Sequence, residues 1–161
     1  GLAWLNEYSE VPIHGHRNQW GMLTRSPALG MSFVAFQKLC RLAGADHLHV
    51  NGLNSKFCES NESVIRSIEA CARPLFGGYA TMPVVSSMQW AGTAPATYEA
   101  LGSVDLIHLA GGGMLAHPDG PAAGFESMKL GWEAAVRGIP LEEYAARHPA
   151  LRRAIEKFGK G

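Results

Sequence analysis

Four times along the chain a short apolar run is followed by a polar or glycine-rich loop and then by an amphipathic segment of helical period. No hairpin turn joins consecutive apolar runs, so the strands must be linked by crossovers and lie parallel. The runs are 11–16, 45–50, 82–86 and 105–110. After the first, Phe36, Leu39, Cys40 and Ala43 fall at i, i+3, i+4 and i+7, and Gly44 is placed to stop that helix. After the second, Val64, Ile65, Ile68 and Ala72 form one helical face that ends before Pro74. Helices are predicted over 94–101 and 122–137. A last one starts near Leu141, breaks at Pro149 and resumes to Phe158. Such a chain is either an open doubly wound sheet or part of a (β/α)8 barrel.

Both folds gather their chemistry past the carboxyl ends of the strands. Polar residues cluster there: His14, His16, Arg17 and Asn18, then His47 and His49, then Ser86 and Ser87, then Gly111-Gly112-Gly113. Each histidine pair has a spacing of two, so its members share a strand face. Neighbouring strands lie about 5 Å apart, so the imidazoles can converge as a site. A zinc site is a weaker alternative, because no Asp or Glu follows at a natural ligand position. The triple glycine lets backbone amides approach an anion, although a tight strand-to-helix turn needs the same residues. Lys56 lies in the loop 51–60, which is long for a strand-to-helix link and suited to closing over a ligand. Asp119 and Pro121 read as the cap and first residue of a helix.

Charge and length narrow the class. Lys plus Arg and Asp plus Glu both number 14, so nothing points to nucleic acid or an acidic membrane surface. No apolar run reaches the roughly 20 residues that cross a bilayer. The three cysteines form no CxxC pair, which fits a reduced cytoplasmic protein, and no secretory leader is visible. Gly1 stands in place of Met and Leu2–Tyr8 reads as the tail of a helix. These features lead us to expect a fragment.

Taken in order, His16-Arg17, Gly44-Ala45-Asp46-His47-Leu48-His49, Lys56, Pro83-Val84-Val85-Ser86, Gly111-Gly112-Gly113 and His117-Pro118 resemble the large subunit of RuBisCO. The resemblance covers nearly the whole chain and implies an α/β fold, the C-terminal half of a (β/α)8 TIM barrel. That half comprises about strands five to eight plus C-terminal helices. Residues 1–161 would then be a partial catalytic domain, without the N-terminal domain and strands one to four. By the same resemblance His16 takes part in proton transfers and Lys56 steadies a carboxylated intermediate. Arg17 and His49 hold one substrate phosphate, Ser86 contacts the substrate backbone, and Gly111 and Gly112 hold the other phosphate.

Departures point within that family. Ser87 and Met88 replace two glycines, Trp20 replaces a histidine, and Asn51-Gly52 alter the start of the loop that carries Lys56. Met88 is expected to crowd the second phosphate. The pattern resembles the RuBisCO-like proteins (form IV), which enolise other substrates. The expected activity is Mg²⁺-dependent enolisation of a phosphorylated sugar or sugar acid, with carboxyl transfer or decarboxylation. The Mg²⁺ ligands are expected in the missing half, with none in this chain. The full-length protein is expected to be a homodimer, and the isolated chain inactive. Authentic ribulose-bisphosphate carboxylation and a non-catalytic half-barrel that only binds a phosphorylated ligand are the competing readings.

Overall fold

A computed structural model describes residues 1–26 and 28–160. Pro27, part of the expected first loop, and Gly161 lie outside the described residues. The chain divides into two compact units. Of the described residues, one holds 1–26, 28–51, 57–85 and 105–107, and the other 52–56, 86–104 and 108–160.

The first unit starts with α1 (Leu2–Asn6), followed by strand β1 (His14–Gly15), α2 (Trp20–Thr24) and α3 (Phe33–Leu42). Strand β2 (His47–Asn51), α4 (Asn61–Ala72) and β3 (Met82–Ser86) come next. The sheet has the order β1-β2-β3-β4, with β4 at Ile107–His108, and β1 pairs with β2 in parallel, His14 opposite His47. Strand β2 buries Leu48 and Val50 by strict alternation. Strand β3 buries Pro83, Val84, Val85 and Ser86 in succession, as a strand covered on both faces must. Val64, Ile68 and Cys71 of α4 are buried in the same unit. Ser32 and Ser60 cap α3 and α4, their hydroxyls accepting from the amides of Ala35 and Ser63. Gly44 follows α3 at φ +96°, the left-handed stop that the spacing predicts.

The second unit contains α5 (Ala94–Leu101), α6 (Gly111–Leu115), α7 (Gly120–Arg137), α8 (Leu141–Ala145) and α9 (Pro149–Phe158). Its core is Ala91, Ala110, Met128, Leu130, Ala145, Leu151 and Ala154, with Trp90, Tyr144 and Phe158 packed against it. Small residues bring the helices close. A Cβ on Gly131 of α7 would fall on the Ala91 carbonyl oxygen.

Several expected elements change. Strand β1 is shorter than 11–16 because a side chain replaces its ladder partner: the Ile13 amide donates to Asp46 Oδ2 at 2.7 Å. Strand β4 covers only two residues of 105–110, and Val104 before it turns outward, 56% exposed. On α3 the buried positions are Phe33 and Gln37, and Leu39 is exposed. The turn at 111–113 is the opening of a helix. Asp119 occupies the cap position of α7 without a side-chain cap bond and reaches Arg153 at 3.6 Å instead, while Pro121 sits in the first turn as expected.

Candidate functional site

In the first unit the site grows from the ends of β1 and β2. Alternation on paired parallel strands brings His14, His16, His47 and His49 together. The rings of His16 and His49 lie 4.5 Å apart, those of His14 and His49 5.5 Å, and those of His14 and His47 6.1 Å. His14 Nε2 and His49 Nδ1 are 3.4 Å apart, a weak hydrogen bond whose direction depends on the tautomers. Burial, then His16, His14 and Arg17, push the His49 pKa down to about 4. Burial and the neighbouring imidazoles His47 and His16 also lower that of His14. His49 is therefore a neutral imidazole at neutral pH, able to donate one N–H and accept at its other nitrogen. Among the described residues no group of three or more His, Cys, Asp or Glu is placed to hold a metal ion. The zinc alternative gains no support from these residues.

Arg17 follows β1 and is 5% exposed. Gln19 adopts φ +65°, and the Trp20 amide donates to the Arg17 carbonyl at 3.1 Å. This tight turn folds the Trp20 indole back onto the guanidinium, 3.9 Å from its centroid, and Phe33 presents a second ring at 4.5 Å. Arg17 Nη2 donates to Glu59 Oε2 at 2.9 Å. The same oxygen accepts from Asn51 Nδ2 at 2.7 Å, and Oε1 accepts from Ser63 Oγ at 2.9 Å. Nε and Nη1 of Arg17 are buried without an acceptor. Desolvation lowers the Arg17 pKa, and Glu59 opposes that shift.

The remaining sequence-predicted residues belong to the second unit. Ser86 closes β3, 7% exposed, and its carbonyl accepts from the Gly52 amide at 2.6 Å. Lys56 is exposed in the segment 52–56. Gly111 and Gly112 form the first turn of α6, where amides have no intrahelical acceptor. A Cβ on Gly113 would come within 2.6 Å of the Gln89 carbonyl oxygen, so this position needs glycine for packing. Ser87 and Met88 stand at φ +71° and +54°. The backbone keeps a conformation that favours glycine although neither residue is one. Met88 is 63% exposed.

Two clusters escaped the sequence reading. Glu59 carries no motif and reveals itself only by contact with Arg17. Gln89, His108 and Trp132 form the other. Gln89 Nε2 donates to the Ser87 carbonyl at 2.7 Å, and its Oε1 lies 3.2 Å from His108 Nε2. His117, in the resembling His117-Pro118 motif, is structural: it is 4% exposed and its Nε2 lies 2.9 Å from the Ala150 carbonyl.

Parallel strands alternating with helices define an α/β fold, with polar side chains gathered just past the strand ends. Residues 2–158 match the model of the ribulose bisphosphate carboxylase large chain, catalytic domain. The chain belongs to that family. It is 45% identical over its whole length to the 3-oxo-isoapionate-4-phosphate decarboxylase of Rhizobium etli, covering 39% of that protein. Over 96% of its length it is 48% identical to the 3-oxo-isoapionate-4-phosphate transcarboxylase/hydrolase of Xanthobacter autotrophicus, covering 38% of that protein. The crystal structure of a rubisco-like protein from Burkholderia fungorum superposes with a TM-score of 0.93 at 49% identity, over 98% of this chain and 39% of that one. The chain thus spans about two-fifths of the length of these relatives.

Proposed function

We propose that the chain supplies the C-terminal half-barrel, about strands five to eight, of a longer RuBisCO-like enzyme acting on a phosphorylated sugar acid. The observation that carries this reading is the Arg17 guanidinium, buried beside a neutral His49 with Nε and Nη1 still lacking acceptors. A buried cation with unused donors suits an anionic group of a ligand. The likeness to 3-oxo-isoapionate-4-phosphate enzymes favours decarboxylation or carboxyl transfer over carbon fixation.

In this reading Arg17 and His49 grip one charged end of the substrate, while Ser86 and the amides of Gly111 and Gly112 serve the rest. His16 moves the proton on the carbon beside the carbonyl, and Lys56 steadies the carboxylated intermediate. Mg²⁺, held by residues outside this chain, would stabilise the enediolate charge. The full-length enzyme acts as a cytoplasmic homodimer, and the isolated chain is inactive.

The test is turnover by the full-length protein with Mg²⁺. CO₂ release from 3-oxo-isoapionate 4-phosphate, without fixation of labelled CO₂ onto ribulose bisphosphate, is the expected result. Fixation alone would establish authentic carboxylase activity instead. Phosphate-ligand binding with neither reaction would leave a non-catalytic barrel.

A further inference from the structure

The Arg17 cluster is more elaborate than a bare phosphate grip requires. Glu59 has a side chain only 3% exposed, and its two oxygens accept from Arg17, Asn51 and Ser63. It immediately precedes Ser60, the cap of α4, so the helix start fixes where its carboxylate sits. A carboxylate held by three donors is not a casual surface partner of the arginine. It occupies Nη2 and leaves Nε and Nη1 for a ligand. Trp20 and Phe33 cover the guanidinium with apolar rings, so its orientation is restrained by packing and by charge together. Two departures from the carboxylase pattern, Trp20 and Asn51, contact this pair directly.

We propose that Glu59 is the positioning residue for Arg17 and turns its anion preference toward a singly charged oxyanion, such as a carboxylate, over a fully ionised phosphate. The pair is neutral before any ligand arrives. An incoming anion gains hydrogen bonds from Nε and Nη1 but also meets the buried Glu59 carboxylate. Attraction to Arg17 doubles for a dianion, but so does repulsion from Glu59, so Glu59 takes twice as much from phosphate as from a carboxylate, and burial leaves this poorly screened. A planar carboxylate also matches the geometry of a guanidinium edge. A phosphorylated sugar acid carries both kinds of group, so Glu59 sets which end of the substrate lies on Arg17. The inference rests on the reading of Arg17 as an anion-binding residue.

The test titrates inorganic phosphate, at a pH of about 8, and acetate into the full-length protein and its Glu59→Gln and Arg17→Gln variants. Loss of Arg17 should abolish the component assigned to this site; if both anions bind unchanged, the reading of Arg17 itself fails. With Arg17 so established, Glu59→Gln should tighten phosphate by roughly tenfold while acetate moves by less than about threefold. The melting temperature of Glu59→Gln should drop without anion and recover on adding phosphate more than that of the parent does, because the ligand replaces the lost counter-charge. Equal weakening of phosphate and acetate, with no phosphate rescue of melting, would overturn the proposal and leave Glu59 a packing residue. If Glu59→Gln does not fold, the double variant Arg17→Met with Glu59→Gln decides. Its folding would show that the unpaired charge was at fault, as proposed, and its failure to fold would contradict the proposal.

Discussion

The indole N–H of Trp132 donates to Nδ1 of His108 at 2.9 Å, which fixes the histidine as the neutral tautomer with its proton on Nε2. That proton faces Gln89 Oε1 at 3.2 Å, and Gln89 in turn donates to the Ser87 carbonyl. One relay therefore runs from α7 to the segment after β3. Burial pushes the His108 pKa down to about 4.

This makes stability sensitive to acid. The unfolded chain protonates His108 and His49 as pH falls through 6.5, whereas the folded chain does so only near 4. Their contribution is complete above 6.5 and is lost as pH drops toward 4. Urea denaturation of the full-length protein should show this decline, and His108→Gln should decline less. An identical pH slope in the variant would contradict the assignment.

Ser87 and Met88 both hold left-handed backbone. Such a conformation costs about 1–2 kcal/mol for a side-chain-bearing residue, and glycine removes that cost while losing some through unfolded-state entropy. Met88 is mostly exposed, so little packing is lost. Met88→Gly should leave stability unchanged or raise it by up to about 1 kcal/mol in urea denaturation. A loss of that size would mean the methionine packs in solution.

Gly131 lies in the interior of α7, where alanine would ordinarily gain about 1 kcal/mol. Here the added methyl meets the backbone of Ala91, which cannot swing aside. Gly131→Ala should therefore destabilise the protein by roughly 1–3 kcal/mol, reversing the helix-propensity expectation. The denaturation midpoint measures the sign directly.

Much of this was legible from local pattern. The range 82–86 and the helix 94–101 appear where periodicity puts them, and the paired histidines converge because a spacing of two and parallel pairing admit little else. What pattern missed depends on contacts between distant segments. Glu59 meets Arg17 across 42 positions, and His108 meets Trp132 across 24. The short β1 arises from the Asp46 side chain capturing the Ile13 amide, which no strand propensity encodes. Gly111-Gly112-Gly113 reads equally well as an anion-binding nest or as a tight strand-to-helix turn; the structure makes it the first turn of α6, with Gly113 packed on Gln89.

The proposed action of His16 and Lys56 on a phosphorylated sugar acid is tested by the turnover of 3-oxo-isoapionate 4-phosphate by the full-length enzyme and its His16→Asn and Lys56→Met variants. Loss of a positioned acid–base or electrostatic group should lower kcat by about 10²–10⁴-fold while the melting temperature stays near that of the parent. Unchanged kcat in both variants would mean that neither residue touches the reacting substrate.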